Sequence, residues 1–128
     1  METDSVSKKI LIVDDEPNIV ISLEFLMKKE KFEVAVASDG EEALAKVASF
    51  NPDLILLDVM MPKKSGFEVC EALRADPARA GLLIMMLTAK GRETEVAKGL
   101  AIGADAYMTK PFSTKELLAK VKEMLGVV

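Results

Sequence analysis

Reactive side chains follow four apolar runs of the sequence, each at the point where the run ends. They are Asp14 and Asp15, Asp58, Thr88 and Lys110. Carboxylates that lie close together resist ionisation unless a divalent cation or an ammonium group is nearby. The chain has no histidine and one cysteine, and a site of oxygen ligands alone favours Mg²⁺ over Zn²⁺. With a lysine and a hydroxyl, these residues suit phosphoryl transfer, in which a carboxylate can itself accept the group.

These side chains converge only if the apolar runs are parallel strands of one sheet. The runs are short and continuous, which is typical of strands buried on both faces. The predicted strands are residues 10–13, 32–36, 54–58, 82–87 and 106–109. Segments with helical spacing of apolar residues separate them, so strand and helix alternate five times. This pattern predicts an α/β fold, a doubly wound parallel sheet with helices on both faces. Ligands bind at the carboxyl edge of such a sheet.

Several local signals predict where the helices begin. Pro17 suits the first turn of the first helix. Three capping boxes are predicted at Ser38 with Glu41, Ser65 with Glu68, and Ser113 with Glu116. The helix over about residues 93–102 is expected to be weak, because it contains Gly99 and its apolar stripe, mainly Val96 and Leu100, is thin.

Composition excludes several classes of function. The chain has 128 residues and a formal net charge of −4, and without a basic run it is a poor candidate for direct binding of nucleic acid. The N-terminus is polar, unlike a signal peptide, and no apolar run approaches the ~20 residues of a membrane span. One cysteine fits a reducing compartment. We therefore expect one cytoplasmic domain over residues 1–128, with its core at about 9–125, that neither contacts nucleic acid directly nor inserts into a membrane.

Each candidate residue also has an ordinary structural explanation. Asp14, Asp15 or Glu16 could cap the first helix, and Asp58 could be a turn residue at the end of a strand. Tyr107 could be an aromatic residue at the edge of the core. For any one residue alone the structural explanation is preferable, but four polar strand ends on one edge favour a functional site.

The constellation resembles the response-regulator receiver domain of two-component signalling, as in chemotaxis regulators. The resemblance covers about residues 9–125 and rests on the order, spacing and strand-end placement of four motifs. These are Asp14-Asp15, the Leu-Leu-Asp-Val-Met-Met-Pro stretch around Asp58, Thr88-Ala89, and the Gly-Ala-Asp-Ala-Tyr-Met-Thr-Lys-Pro-Phe run of residues 103–112. The resemblance implies a flavodoxin-like sheet with strand order 2-1-3-4-5.

The resemblance also implies a role for each position. Asp58 would be the phosphoacceptor, forming an aspartyl phosphate. The implied ligands of Mg²⁺ are Asp14, Asp15, Asp58 and the backbone carbonyl of Met60. The implied contacts of the phosphoryl group are Thr88, Ala89 and Lys110. The peptide bond between Lys110 and Pro111 would be cis.

A change of conformation would follow phosphorylation. The Thr88 hydroxyl would turn towards the phosphoryl oxygens, and Tyr107 would change rotamer as the loop after the fourth strand closes. The face that holds these two residues would then switch partner binding. The phosphoryl donor would be a phosphohistidine on a sensor histidine kinase or on a phosphotransfer protein of a phosphorelay, and the target a downstream protein. The chain would be a signalling protein that assists only its own phosphorylation and dephosphorylation.

Three alternatives to a stand-alone receiver stay open. The chain could be a receiver from a larger regulator with a DNA-binding or enzymatic output, although the absence of a linker before Val128 favours the stand-alone form. A haloacid-dehalogenase-like phosphatase would use an aspartate nucleophile, but it usually needs a second aspartate where this sequence has Met60. A flavodoxin-like electron carrier would hold a phosphate after the first strand, where Asp14, Asp15 and Glu16 would repel it.

Overall fold

Five parallel strands form one sheet in the computed structural model, which describes residues 8–61, 63–89 and 93–127. The strands are β1 (Lys9–Val13), β2 (Glu33–Ala37), β3 (Leu54–Asp58), β4 (Leu83–Ala89) and β5 (Ala106–Lys110). Their order across the sheet is β2-β1-β3-β4-β5, and every neighbouring pair is parallel. The predicted α/β fold and strand order are therefore confirmed.

Helices cover both faces of this sheet. They are α1 (Pro17–Lys29), α2 (Gly40–Phe50), α3 (Gly66–Arg74), α4 (Glu93–Ala101) and α5 (Thr114–Leu125). A short 3-10 turn at Pro77–Arg79 follows α3. Side chains of β1, β3 and β4 alternate between two apolar layers, one shared with α2 and α3 and the other with α1 and α5. The central strands are thus buried on both faces, as their apolar sequences predict.

The strand register aligns the carboxyl ends of the three strands on which the predicted site depends. Asp58 pairs with Leu87 across β3 and β4, so Thr88 lies one residue beyond Asp58 along the sheet edge. On the other side of β4, Ala89 pairs with Lys110. The sheet therefore holds these side chains at one edge through backbone hydrogen bonds.

Of the three predicted capping boxes, one is confirmed in full and a second in part. Ser65 and Glu68 form a complete capping box, and Ser113 accepts a hydrogen bond from the Glu116 N–H at 3.3 Å. The box predicted at Ser38 and Glu41 is wrong by one residue. Asp39 caps α2 instead, by accepting from the Glu42 N–H at 2.8 Å, while the Glu42 carboxylate accepts from the Ser38 N–H. Aspartate caps helices as well as serine does, so the sequence alone allowed either register.

The helix α4 rests lightly on the sheet. Among its residues whose exposure is described, only Gly99 is buried, and Leu100, expected in the apolar stripe, is 43% exposed. The ammonium of Lys98 lies 4.5 Å from the centre of the Phe67 ring on α3. The absence of large buried side chains agrees with the predicted weakness of this helix. Among the described residues, no helix combines the length and the apolar character needed to cross a membrane.

Candidate functional site

A pocket of about 300 Å³ opens at the carboxyl edge of the sheet. Its lining residues are Asp15, Glu16, Asp58, Val59, Met60, Thr88, Ala89 and Lys110. Six of the residues predicted from the sequence therefore lie around one cavity. Asp14 is buried beside it and contacts Lys110. Pro62 of the central motif and residues 90–92, on which the predicted closure after the fourth strand depends, are outside the described residues.

Asp58 is the last residue of β3 and is buried. The first residue of α3, Gly66, packs directly on the strand end, and its N–H donates to the Val59 carbonyl at 2.9 Å. A side chain at Gly66 would overlap the carbonyl oxygen of Asp58. This close approach requires glycine, so the β3–α3 connection fixes where the Asp58 carboxylate stands.

Lys110 lies among three carboxylates at the end of β5. Its Nζ is 2.7 Å from Asp14 Oδ2, 2.8 Å from Glu16 Oε1 and 3.5 Å from Asp58 Oδ1. The lysine side chain is only 16% exposed, so these interactions are partly shielded from water. The ammonium thus neutralises part of the negative charge that Asp14 and Asp58 would otherwise bury together.

The pKa values of Asp58 and Lys110 reflect this arrangement. Burial, together with the nearby charge of Asp14, raises the pKa of Asp58 to about 7, although Lys110 and the Met60 N–H oppose the shift. Burial alone would lower the pKa of Lys110, but the close carboxylates of Asp14 and Glu16 and the charge of Asp58 raise it on balance. Without a further cation, Asp58 is therefore only partly ionised near neutral pH, while Lys110 stays protonated.

One buried polar group in the pocket lacks a partner among the described residues. The Thr88 side chain is 3% exposed, and its hydroxyl makes no hydrogen bond. An unsatisfied buried hydroxyl costs free energy unless a ligand or water completes its bonding. Asp14 Oδ2 also accepts no directed hydrogen bond, but the ammonium of Lys110 lies against it. Within the described part of the pocket, the Thr88 hydroxyl is therefore available to bind an incoming oxygen.

Oxygen atoms of Asp14, Glu16 and Asp58 lie within 4.8 Å of one another and could hold a cation. These hard oxygen ligands, with no histidine in the chain, fit Mg²⁺. The ammonium of Lys110 already contacts all three carboxylates. Asp15 does not belong to this close group; it is exposed and lines the pocket with Met60.

Glu16 was absent from the site predicted from the sequence, which considered it only as a helix cap. It occupies the N-cap position of α1, but its side chain makes no capping hydrogen bond. Asp14 Oδ1 instead accepts the Glu16 N–H at 2.9 Å. The one available signal was the run of three acidic residues after β1. That run did not identify Glu16 as part of the site, because its position alone does not show which way the side chain points.

Tyr107 lies apart from the pocket. It is 45% exposed and borders a separate groove of about 380 Å³ on the β5–α5 face. The other lining residues of this groove are Met108, Thr109, Pro111, Phe112 and Glu116. The peptide bond between Lys110 and Pro111 is cis, as the resemblance implied. The site and the groove are thus joined through β5, whose last residue is Lys110.

The strand order and the acidic pocket at the carboxyl edge are those of a flavodoxin-like receiver fold. The sequence matches the response regulator receiver domain over residues 10–122, and the chain belongs to this family of two-component signalling proteins. Family membership favours the receiver over the phosphatase and electron-carrier alternatives.

Individual proteins are similar over nearly the whole chain. The alkaline phosphatase synthesis transcriptional regulatory protein PhoP of Bacillus subtilis is 51% identical over 120 residues, which are 94% of this chain and 49% of PhoP. The structure of the chemotaxis response regulator CheY4 of Vibrio cholerae matches with a TM-score of 0.87 and 34% identity, covering 93% of this chain and 99% of CheY4.

A second similar structure contains a metal ion. The receiver domain of the sensor histidine kinase PA1611 from Pseudomonas aeruginosa PAO1, with a magnesium ion coordinated in its active site cleft, matches with a TM-score of 0.85 and 26% identity. The match covers 94% of this chain and 99% of that domain. The chain spans about half the length of the curated relatives it matches.

Proposed function

We propose that this chain accepts a phosphoryl group from a phosphohistidine on Asp58 and thereby changes its binding to a downstream protein. The observation that supports this proposal best is the pocket itself. A buried carboxylate stands beside an ammonium group, and the same cavity is lined by the Thr88 hydroxyl, which has no partner in the part of the chain that the structure describes. These are the groups needed to position a phosphoryl group and to neutralise its charge.

The proposed cofactor is Mg²⁺, which when bound would neutralise charge on Asp58 and on the phosphoryl oxygens. The ligands proposed for it are Asp14, Asp15, Asp58 and the backbone carbonyl of Met60. The magnesium ion in the similar PA1611 receiver domain supports this proposal by analogy. Lys110 and Mg²⁺ would then together neutralise the negative charge of the carboxylates.

The proposed transfer forms a bond between an Asp58 carboxylate oxygen and phosphorus. The bond between phosphorus and the imidazole nitrogen of the donor breaks, and its electron pair stays on that nitrogen. The donor leaves as neutral histidine, because its other ring nitrogen already holds a proton. Lys110 would contact one phosphoryl oxygen, the Thr88 hydroxyl would donate to another, and the Ala89 N–H would donate to a third. The chain thus assists its own phosphorylation without acting on other substrates.

The proposed response begins with the new charge on Asp58. A phosphoryl group adds roughly −1.5 to −2 charge and several strong acceptor oxygens. Thr88 would turn towards these oxygens, and Tyr107 would change rotamer on the neighbouring strand. Partner binding would change at the β5–α5 groove that Tyr107 borders. The weakly packed α4 could move at small cost.

The proposed partners are a sensor histidine kinase or a phosphotransfer protein as donor, and a downstream protein as target. We propose one receiver domain over residues 1–128, with its core at about 9–125, located in the cytoplasm and without direct contact to nucleic acid. A stand-alone receiver stays our first interpretation. The half-length match to a transcriptional regulatory protein favours a second one, in which the receiver controls an attached DNA-binding output.

The proposed chemistry is tested by intact mass after incubation with Mg²⁺ and acetyl phosphate. We expect the native chain, and also Asp76→Asn as a matched control outside the pocket, to gain one labile phosphoryl group. Asp58→Asn should gain none. A native chain that gains nothing while a known receiver is phosphorylated would contradict the proposal, and so would an Asp58→Asn chain that gains the group as fast as the native one.

The molecular mass of the protein in its own cells distinguishes a stand-alone receiver from a receiver within a larger regulator. An antibody against this chain should detect a band near 13.9 kDa if the receiver stands alone. A band of about twice that mass would indicate the larger regulator, since the receiver is about half of its relatives.

A further inference from the structure

Glu16 has no function in the arrangement proposed so far, yet it contacts the central lysine. Its Oε1 lies 2.8 Å from Lys110 Nζ, whereas Asp58 Oδ1 is 3.5 Å from the same nitrogen. The ammonium is therefore held more closely by Asp14 and Glu16 than by the proposed phosphoacceptor.

The local structure leaves the Glu16 side chain free for this contact. A short polar side chain at a helix N-cap, such as aspartate or serine, usually accepts a hydrogen bond from the first turn. Glu16 makes no such bond, and Asp14 Oδ1 accepts the backbone N–H that begins the helix. The Glu16 carboxylate reaches across the sheet edge from β1 to the end of β5.

The same geometry argues against Glu16 as a ligand of a metal. Glu16, Asp14 and Asp58 are close enough to hold a cation, but the cation that contacts all three is the Lys110 ammonium. A second cation between them would have to displace it. The metal ligands proposed above therefore combine Asp14 and Asp58 with Asp15 and Met60, which line the pocket, and leave Glu16 to Lys110.

We propose that Glu16 is a positioning residue for Lys110: it holds the ammonium away from Asp58 until a phosphoryl group arrives, and it does not ligate the metal. Lysine has three N–H donors on one flexible stem. Because its ammonium donates to Glu16 and lies against Asp14, Lys110 must loosen its contact with Glu16 to move closer to the phosphoryl oxygens. Glu16 therefore restrains phosphorylation.

A double-mutant cycle tests the contact independently of phosphorylation. The variants are Glu16→Gln, Lys110→Met and the pair, and the readout is urea unfolding. We expect Glu16→Gln to stabilise the Lys110→Met chain, in which Glu16 only repels other carboxylates, but not the native chain. The two substitutions should couple by about threefold or more in the unfolding equilibrium constant. Additive effects would overturn the proposal.

Calorimetric titration with Mg²⁺ alone distinguishes a Glu16 that positions Lys110 from a Glu16 that binds the metal. We expect Glu16→Gln to change the Mg²⁺ dissociation constant by less than about threefold, as Glu24→Gln should, which removes the same charge from the same helix. Loss of a ligand would weaken binding by about tenfold or more, and that result would overturn the proposal.

The restraint itself is tested by the initial rate of phosphorylation with acetyl phosphate, and this part alone rests on the proposed function. We expect Glu16→Gln to be about two- to fivefold faster than the native chain. Glu16→Asp keeps the charge but is one methylene shorter, so it should also be faster if the contact matters. Unchanged rates in both variants would overturn the restraint. A native chain that is not phosphorylated at all would contradict the proposed function, while the cycle and the Mg²⁺ titration would still decide the role of Glu16.

Discussion

Asp58 combines burial, a neighbouring carboxylate and an ammonium group, and these three influences set its protonation. Its pKa is raised to about 7 from the model-compound value of 3.8, mainly because burial disfavours the charged form. The folded chain therefore holds the Asp58 proton more tightly than the unfolded chain does. The stability that this proton binding provides is complete below about pH 4 and is lost as the pH rises through 7.

Asp58→Asn removes this dependence, because asparagine does not ionise. In the absence of divalent metal, we expect the variant to be more stable than the native chain at pH 8 by about 2–4 kcal/mol, a range that follows from the size of the pKa shift. The difference should shrink towards zero as the pH falls to 4. Urea unfolding followed by circular dichroism at pH 4, 6 and 8 measures it, with Asp76→Asn as the control. A variant that is less stable than the native chain at pH 8 would refute this account of Asp58.

The connection between β3 and α3 determines where the acceptor stands. A Cβ at residue 66 would overlap the Asp58 carbonyl oxygen and approach Val59 Cα to 2.9 Å. Both contacts are with backbone, which cannot move aside as the end of a flexible side chain can. The start of α3 and the end of β3 would therefore have to separate.

We expect Gly66→Ala to destabilise the chain by about 1–3 kcal/mol, the usual cost of forcing extra atoms into a packed site. It should also slow phosphorylation by acetyl phosphate, because the Asp58 carboxylate would shift with its strand. Gly81→Ala is the matched control: nothing lies within 4 Å of the Cβ it would add, so its stability should stay within about 0.5 kcal/mol of the native chain. Equal effects of the two substitutions would show that the close approach at residue 66 is unimportant.

At the scale of the elements, the sequence predicted correctly those features that depend on the spacing of apolar residues or on the position where a strand ends. The apolar segments predicted all five strands, although residues 32–36 include Glu33. The strand ends placed Asp58, Thr88 and Lys110 on one edge. The direction in which a side chain points, and the residue that it therefore contacts, were harder to predict. The sequence could not show that Glu16 turns to Lys110 instead of capping α1, because both outcomes use the same residue at the same helix start. It could not choose between Ser38 and Asp39 as the cap of α2, since both residues are good caps.

The amino and carboxyl ends of the strands form two edges of the sheet, and these edges differ in how many side-chain hydrogen bonds connect them to their surroundings. At the amino edge, the Arg74 guanidinium donates to the Gly103 carbonyl at 2.8 Å and to Asp105 Oδ2 at 2.6 Å. The same Asp105 oxygen accepts the N–H of Ile84 at 2.8 Å. These bonds tie the end of α3 to the beginnings of β4 and β5. At the carboxyl edge, the Thr88 hydroxyl has no partner among the described residues, and the neighbouring α4 buries little.

A phosphoryl group on Asp58 should therefore change the backbone dynamics at the carboxyl edge and leave those at the amino edge unchanged. Hydrogen exchange, measured with and without phosphorylation, should differ at residues 87–89 and 107–112 but not at residues 82–84 and 103–105. The reason is that new bonds to Thr88 and Lys110 form at the carboxyl edge, where the Thr88 hydroxyl has no partner among the described residues. At the other edge, the Arg74 network must break before the backbone can move. Arg74→Gln, which weakens that network, should let the change reach the amino edge. Equal changes at both edges of the native chain would contradict this division of the molecule.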